Sequence, residues 1–187
     1  MRQILAVALL AGLWLVTANT TAQQQSDPQQ RAQEIAASFN KSKHQVKEKR
    51  GVRIEKFKEI RSEPVVRKDA REYSGTYVAD LGAGYTMKVE VGADGRVQAT
   101  GSEPGPNMIR KFVLKDAKIQ GALLTANKVY EDGKTEKFEG VFINRTERES
   151  QTDSGTTSFG LAVIYDPPKV ESDYGFTLNR IFYELKQ

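Results

Sequence analysis

The chain has 187 residues, a formal net charge of +4 at pH 7, one histidine and no cysteine. The lack of cysteine excludes disulfides, thiolate zinc sites, a cysteine nucleophile and a lipid-modified cysteine. A histidine-based triad or zinc site would require the segment around the one histidine, His44, to fold over the rest of the chain. The sequence also has no phosphate-binding loop, dinucleotide fingerprint or Gly-x-Ser-x-Gly signature. We therefore predict a protein that is not an enzyme, with no cofactor and no metal.

The first segment, residues 1–22, has the organisation of a cleavable signal peptide. Arg2 gives a basic start, residues 4–16 form an apolar run of 13 residues, and the small residues Thr20 and Ala22 precede the predicted cleavage site after Ala22. The alternative is a retained membrane anchor, but about 20 apolar residues are needed to span a bilayer. We expect a periplasmic or secreted protein that is not an integral membrane protein.

Residues 23–72 are predicted to form a basic, partly helical arm and connector. Residues 31–71 hold 13 Lys and Arg against 6 Asp and Glu, whereas residues 72–187 hold 14 against 17. The segment from Lys41 to Arg61 could therefore bind an anionic surface such as lipid head groups, or an acidic partner. The alternative is a solvated helix face whose glutamates pair locally with its basic residues. Because few aromatic side chains are available to stack on bases, we expect no nucleic acid partner.

The start of this arm carries helix signals. Asp27 can accept hydrogen bonds from free first-turn amides, and Pro28 suits the first helical position. Apolar residues follow at near-helical spacing, and Gly51 is a plausible stop, which predicts a helix over residues 28–50. Residues 52–61 fit either a helix or a strand, and the helix is slightly favoured.

The rest of the chain follows an alternation that is clearest in residues 84–101. Every second residue from Tyr85 to Val91 is apolar, and the alternation resumes after an Asp-Gly pair at positions 94 and 95. A side-chain period of two, interrupted by an Asp-Gly turn, is typical of a β-hairpin.

The same pattern recurs throughout residues 73–187, which we interpret as one β domain. Short connections without intervening helices favour antiparallel neighbours, and about eight strands are enough for a sheet to close on itself. We predict a mainly β fold, an up-and-down meander closing into a barrel, preceded by an N-terminal basic helix; a two-sheet sandwich is the alternative. The predicted strands cover residues 73–80, 84–91, 96–101, 109–115, 118–126, 135–146, 156–165 and 174–185.

One short motif resembles a known family. Gly75-Thr76-Tyr77 on the first of these strands is similar to the Gly-x-aromatic start of lipocalin-type, or calycin, barrels. Those barrels usually carry tryptophan where this chain has Tyr77, and an arginine on their last strand packs over that ring. Arg180 stands where such an arginine would be expected. The resemblance implies a barrel that holds a small apolar molecule in its mouth.

Two functions remain open. The first is an exported binding protein for a small apolar or amphipathic ligand, since a barrel of about eight strands can keep one small cavity. The second is a cell-envelope interaction or inhibitor-type module with a packed core, which would use the basic arm or loops such as 101–108, 147–155 and 166–173 for recognition. For the ligand-binding function, the predicted site residues are Tyr77, Tyr85, Met87, Phe142, Phe159 and Leu161.

Overall fold

The computed structural model describes residues 27–79, 84–105, 108–171 and 176–186. The predicted signal peptide over residues 1–22 lies outside these ranges. Among the described residues, no helix is long and apolar enough to cross a lipid bilayer. The helix and strands of the described part are α1 (Pro28–Ser38), β1 (Lys41–Lys49), β2 (Val52–Pro64), β3 (Gly75–Ala79), β4 (Thr86–Val91), β5 (Val97–Pro104), β6 (Ile109–Gln120), β7 (Leu123–Tyr130), β8 (Thr135–Arg148), β9 (Thr156–Glu171) and β10 (Phe176–Lys186).

Strands β3 to β10 form a closed antiparallel barrel. Each pairs with the next along the chain, and β10 returns to pair with β3, where Leu185 lies opposite Tyr77. This confirms the prediction of a mainly β, eight-stranded meander that closes into a barrel and follows one helix. The sandwich alternative is wrong because the first and last strands of the meander pair with each other instead of ending two separate sheets.

The predicted hairpin over residues 84–101 is confirmed as part of β4 and β5. Met87, Val89 and Val91 are buried in the barrel interior, and the intervening residues of β4 point outward. Gly95 in the connecting turn has φ of 77°. An Asp-Gly turn places its glycine in this left-handed region, which a residue with a side chain would adopt only with strain.

Helix α1 packs against the outside of the barrel. It begins after Asp27, whose carboxylate accepts a hydrogen bond of 3.1 Å from the amide of Gln29. Arg31 holds it to β8 through Glu139, with 2.5 Å between Nη2 and Oε2. Its apolar face is buried against outward-facing residues of the barrel wall, in a cluster made of Ala32, Ile35, Ala36, Ala122, Leu123, Val141, Ile143 and Ala162.

The predicted helix over residues 28–50 is wrong beyond Ser38, and the helical preference for residues 52–61 is also wrong. Residues 41–49 form β1, which pairs antiparallel with β2 around a two-residue turn. Both turn residues, Arg50 and Gly51, have positive φ, as a type I′ hairpin requires. Hydrogen bonding across this hairpin outweighs the helical spacing, because the arm has no apolar stripe long enough to hold a longer helix against the body.

The hairpin continues the sheet beyond the barrel. The end of β2 pairs with the second half of β8, from Glu59 opposite Arg148 to Pro64 opposite Ile143. The first half of β8 pairs with β7 on that same edge. One edge of β8 is therefore shared between β7 of the barrel and β2 of the hairpin.

The turn between β6 and β7 lies later than predicted. The predicted strands over residues 109–115 and 118–126 imply a break at the intervening residues, but β6 runs through that point with a register shift. Asp116 has φ of 55° there, which is the mark of an irregularity within a strand rather than of its end. The chain reverses at Gly121, with φ of 63°.

Strand β9 also extends further than expected. Most of the predicted loop over residues 166–173 belongs to β9, which continues to Glu171 as a ribbon with the start of β10. Val170 lies opposite Thr177 in this ribbon. Of the recognition loops suggested by the sequence, 166–173 therefore begins as strand.

Candidate functional site

The six residues predicted to line a ligand cavity all belong to the barrel core. The ring of Tyr77 lies 5.9 Å from that of Phe142, and Phe142 stacks with Phe159 at 6.2 Å. Phe159 is half-buried and the other five are buried, with exposed fractions of at most 3%. These side chains pack on one another, and their role in binding a ligand stays a prediction. The six are Tyr77, Tyr85, Met87, Phe142, Phe159 and Leu161.

One end of the barrel is closed by the connector between β2 and β3, and we call it the capped end. The ring of Tyr73 stacks on Phe142 with 4.2 Å between centroids. Its hydroxyl accepts a hydrogen bond of 2.8 Å from the amide of Arg67 and lies 2.9 Å from the carbonyl oxygens of Val65 and Gly121. Tyr73 thus joins the connector, the turn after β6 and the core.

Tyr73→Phe should destabilise the protein by about 1–3 kcal/mol, because it keeps the stacked ring but leaves buried backbone groups without their partner. Chemical denaturation of both proteins measures the difference. Tyr73→Leu, which also removes the stacked ring, should cost more. A Tyr73→Phe variant as stable as the parent would show that the hydroxyl does not hold the connector in place.

The opposite end of the interior carries a buried charge cluster, and we call it the polar end. Lys128 on β7 and Glu103 on β5 are each 1% exposed, and the Lys128 ammonium donates to Glu103 Oε2. The Tyr130 hydroxyl lies 2.6 Å from Glu103 Oε1 and 2.9 Å from Glu136 Oε2. Hydrogen-bonded partners offset part of the desolvation cost of placing two full charges inside a barrel.

Aromatic rings surround the buried ammonium group. Lys128 Nζ lies 4.2 Å from the ring centroid of Phe112, 5.1 Å from that of Tyr130 and 5.2 Å from that of Tyr165. The Tyr165 hydroxyl is 3.0 Å from the hydroxyl of Tyr183. The ring faces stabilise the cation, and the hydroxyls extend the polar network towards β10.

Burial keeps the phenols of this interior neutral. It raises the pKa of Tyr77, Tyr165 and Tyr183 above the ordinary value for tyrosine. Burial also raises the pKa of Tyr130, and its hydrogen bond to the Glu103 carboxylate adds to the effect. At neutral pH these hydroxyls therefore act as hydrogen-bonding groups rather than as charges.

Among the described residues of the polar end, Arg110 is the one whose side chain has buried donors without a hydrogen-bond partner. It lies opposite Glu103 in the β5–β6 register, and its guanidinium sits 3.7 Å over the ring of Tyr130. Nη2 is 4.0 Å from Glu103 Oε1, which is an ion-pair contact but too long for a hydrogen bond. Among the described residues, Nε and Nη2 have no hydrogen-bond partner, although the side chain as a whole is 28% exposed. A carboxylate or phosphate arriving from outside could accept from both donors.

The arginine contact implied by the calycin resemblance is not present. Tyr77 is buried opposite Leu185, whereas Arg180 lies opposite Ile164 with its side chain exposed outside the barrel. The guanidinium over the ring of Phe159, a neighbour in the same core, is that of Arg67, at 4.8 Å. An arginine from the connector, rather than one from the last strand, therefore covers the capped end.

A hollow, which we call the outer groove, crosses the outside of β3 to β7. Its volume is about 520 Å³, within the usual range for small-molecule sites. Its walls include the exposed residues Thr100, Lys111 and Val113 and the half-buried Val129. Met87, a predicted site residue, contributes to this groove only from the interior side of the wall, because its side chain is buried.

His44 lies away from the barrel interior. It is exposed on β1, where Nε2 is 2.7 Å from Glu55 Oε1 and the ring meets Phe57 edge-on at 6.0 Å. Within the part of the chain that the structure describes, no group of three or more His, Cys, Asp or Glu residues is placed to hold a metal ion.

The sequence interpretation missed the charged residues of the polar end. The alternation of β7 places Lys128 on the inward face with Leu124 and Ala126, and that of β5 does the same for Glu103. The predicted strands end at positions 126 and 101, just before these two residues. A charge at an inward position of a longer strand is the signal that could have revealed the site.

The described structure defines the class of this protein, a closed eight-stranded antiparallel β-barrel with one capped and one polar end. Comparison with protein-family models, with curated proteins and with solved structures finds no match for the chain.

Proposed function

We propose that this barrel is a non-catalytic binding protein for a small amphipathic ligand, whose anionic group is held by Arg110 at the polar end. The observation that carries the proposal is the pair of buried Arg110 donors without a hydrogen-bond partner among the described residues. A buried donor without an acceptor costs about 1–3 kcal/mol, and an arriving acceptor offsets that cost when it forms the missing hydrogen bond.

The surroundings of Arg110 suit a ligand with an apolar part. Phe112 follows two positions along the same inward face of β6, and Met87 lies on the same face two strands away. Tyr85 is buried just before β4, on the side of the polar end. Of the six residues predicted from the sequence, Tyr85 and Met87 are the ones we assign to the ligand, and the others fill the core towards the capped end.

This role is of the kind that the calycin resemblance implies, although the arginine contact of that family is absent. The organisation of residues 1–22 supports a second part of the proposal, that the protein acts in a periplasm or outside the cell.

Fluorescence titration with anilinonaphthalene sulfonate, an amphipathic anion, tests the proposed site, with decanoate as competitor. Arg110→Gln should weaken binding of both anions on the order of 10- to 100-fold, because it removes charge-assisted hydrogen bonds. Lys111→Gln is the matched control, because it removes the same charge from the next residue of β6, whose side chain points out of the barrel. Circular dichroism verifies that both variants are folded.

The same pair of variants tests the second candidate, recognition of a ligand at the outer groove. The volume of that groove and the apolar side chains of Val113 and Val129 favour it. Loss of binding with Lys111→Gln, and not with Arg110→Gln, would move the site from the interior to the outer groove. If both variants bind the anions as tightly as the parent does, neither the polar end nor the outer groove is the binding site.

A further inference from the structure

The β1–β2 hairpin stands clear of the barrel. All nine residues of β1 are exposed, and β2 does not pair with β8 until Glu59. The chain from Lys41 to Lys58 is therefore a two-stranded ribbon with its tip at Arg50 and Gly51. Its basic residues predict an anionic partner. In a ribbon, alternate residues of each strand lie on the same face.

The register sorts the charges of the ribbon onto two faces. Residues directly opposite each other in an antiparallel pair share a face, so each cross-strand pair belongs to one side. One side, which we call the lysine face, has no Asp or Glu on either strand. It carries Lys41, Lys43, Gln45, Lys47 and Lys49 from β1, opposite Ile60, Lys58, Lys56, Ile54 and Val52 of β2.

The other side has mixed charge. Glu48, Glu55 and Glu59 lie on it, with Arg53 and His44. Two of these glutamates contact neighbouring side chains: Glu55 Oε1 lies 2.7 Å from His44 Nε2, and Glu59 pairs with Arg148 at 3.2 Å. The acids of the ribbon are thus separated from its lysines by the thickness of the sheet.

The lysines of the lysine face have little local neutralisation. Lys58 lies 3.4 Å from Glu147 of β8. Among the described residues, the other five make no ion pair within 4 Å, and all six are exposed. Like charges on a flat ribbon repel one another, so their arrangement favours an extended anionic surface that meets all of them at once.

Two apolar side chains lie on the same face near the tip. Val52 is 61% exposed and Ile54 is 42% exposed, opposite Lys49 and Lys47. Apolar side chains beside lysines suit a surface that is anionic at its head groups and apolar just below them. A soluble polyanion has no apolar region in which Val52 and Ile54 could be buried.

We propose that the lysine face docks on an anionic lipid bilayer, with the lysines among the head groups and Val52 and Ile54 entering the interface. The proposal is independent of the ligand site, because the ribbon and the polar end share no residue. It assigns the hairpin the task of holding the barrel at a membrane surface.

Co-sedimentation of the full chain with vesicles tests the proposal. Vesicles of phosphatidylcholine with about a third of phosphatidylglycerol should bind the protein, and vesicles of phosphatidylcholine alone should not. Lys43→Gln, Lys47→Gln and Lys56→Gln combined should weaken binding on the order of 100-fold, since each lysine near an anionic surface contributes about 1 kcal/mol, or about fivefold. The matched control removes three exposed lysines of β6, Lys111, Lys115 and Lys118, and should retain most of the binding.

A second variant separates lipid from other polyanions. Val52→Ser combined with Ile54→Ser should weaken vesicle binding several-fold and leave binding to heparin unchanged. Equal losses with the two triple variants would show a response to net charge alone and overturn the assignment to the lysine face. Binding to heparin without binding to anionic vesicles, or vesicle binding indifferent to Val52 and Ile54, would overturn the lipid surface. Neither the triple variant of the lysine face nor the variant at Val52 and Ile54 should change binding of anilinonaphthalene sulfonate, so this proposal and the ligand proposal fail separately.

Discussion

Replacing Lys128 by methionine should destabilise the protein by about 3–5 kcal/mol, because it removes the cation that is hydrogen-bonded to the buried Glu103 carboxylate and leaves it with the longer Arg110 contact at 4.0 Å. Glu103 is 1% exposed, so the fold gives this carboxylate little access to water. Total stabilities of domains are about 5–15 kcal/mol, so the variant should be close to unfolding. Urea denaturation followed by circular dichroism measures the loss.

The double variant Glu103→Gln with Lys128→Met should recover most of that loss. It removes both charges together and keeps an amide oxygen that can accept from Tyr130. Lys115→Met, at an exposed position of β6, is the control and should change stability by less than about 0.5 kcal/mol. A double variant no more stable than Lys128→Met alone would show that the pair contributes through packing rather than through charge compensation.

The protein should unfold cooperatively in alkali, beginning at about pH 10. Burial raises the pKa of Tyr77, Tyr130, Tyr165 and Tyr183 in the folded state, so these phenols stay protonated after those of the unfolded chain have ionised. The folded state then binds more protons than the unfolded state, and stability falls as pH rises. Their contribution is complete below the unfolded pKa of about 10, and each tyrosine removes about 1.4 kcal/mol per pH unit above it.

Four such tyrosines remove about 5 kcal/mol within one pH unit, which is comparable to the whole stability of a small domain. Tyrosinate absorbance and far-ultraviolet circular dichroism should therefore change together in one steep transition. Tyr183→Phe removes one of the four groups and should make the transition less steep. Gradual ionisation of all tyrosines near pH 10 with the fold intact would contradict the burial of these hydroxyls.

The sequence was sufficient for the local part of the fold. Alternation in residues 84–101 and the Asp-Gly turn specify a hairpin from neighbouring residues alone. The same rule locates the other barrel strands, except that it places the turn between β6 and β7 too early and ends β9 too soon. Barrel closure was predicted from the number of strands. The pairing that achieves it joins Tyr77 to Leu185, and no local pattern contains this register.

The arm was misinterpreted because its pattern is ambiguous. Helical spacing correctly predicted the buried face of α1 at Ala32, Ile35 and Ala36. After Ser38 the residues are almost all polar, so periodicity no longer separates a helix from a strand. The two positive φ values at Arg50 and Gly51 decide the outcome, and Arg-Gly is a weaker hairpin signal than Asn-Gly or Asp-Gly.

The candidate site was predictable only in part. Strand alternation predicts that aromatic residues such as Phe142 face the core. Whether such a side chain packs in the core or contacts a ligand depends on its neighbours from strands that are distant in sequence. Glu103 and Lys128 are 25 residues apart in the sequence, and the β5–β6–β7 meander brings them together. Arg110 is recognisable only from the register that places it opposite Glu103 and over Tyr130.

Native mass spectrometry of the full chain, purified from its own compartment, tests directly whether a ligand is bound at the polar end. We expect a small amphipathic molecule bound to the parent protein, released on denaturation, and reduced or absent in Arg110→Gln. Lys111→Gln should carry the same molecule as the parent. A clean apo mass for the parent, together with no uptake of added decanoate, would contradict a ligand at the polar end.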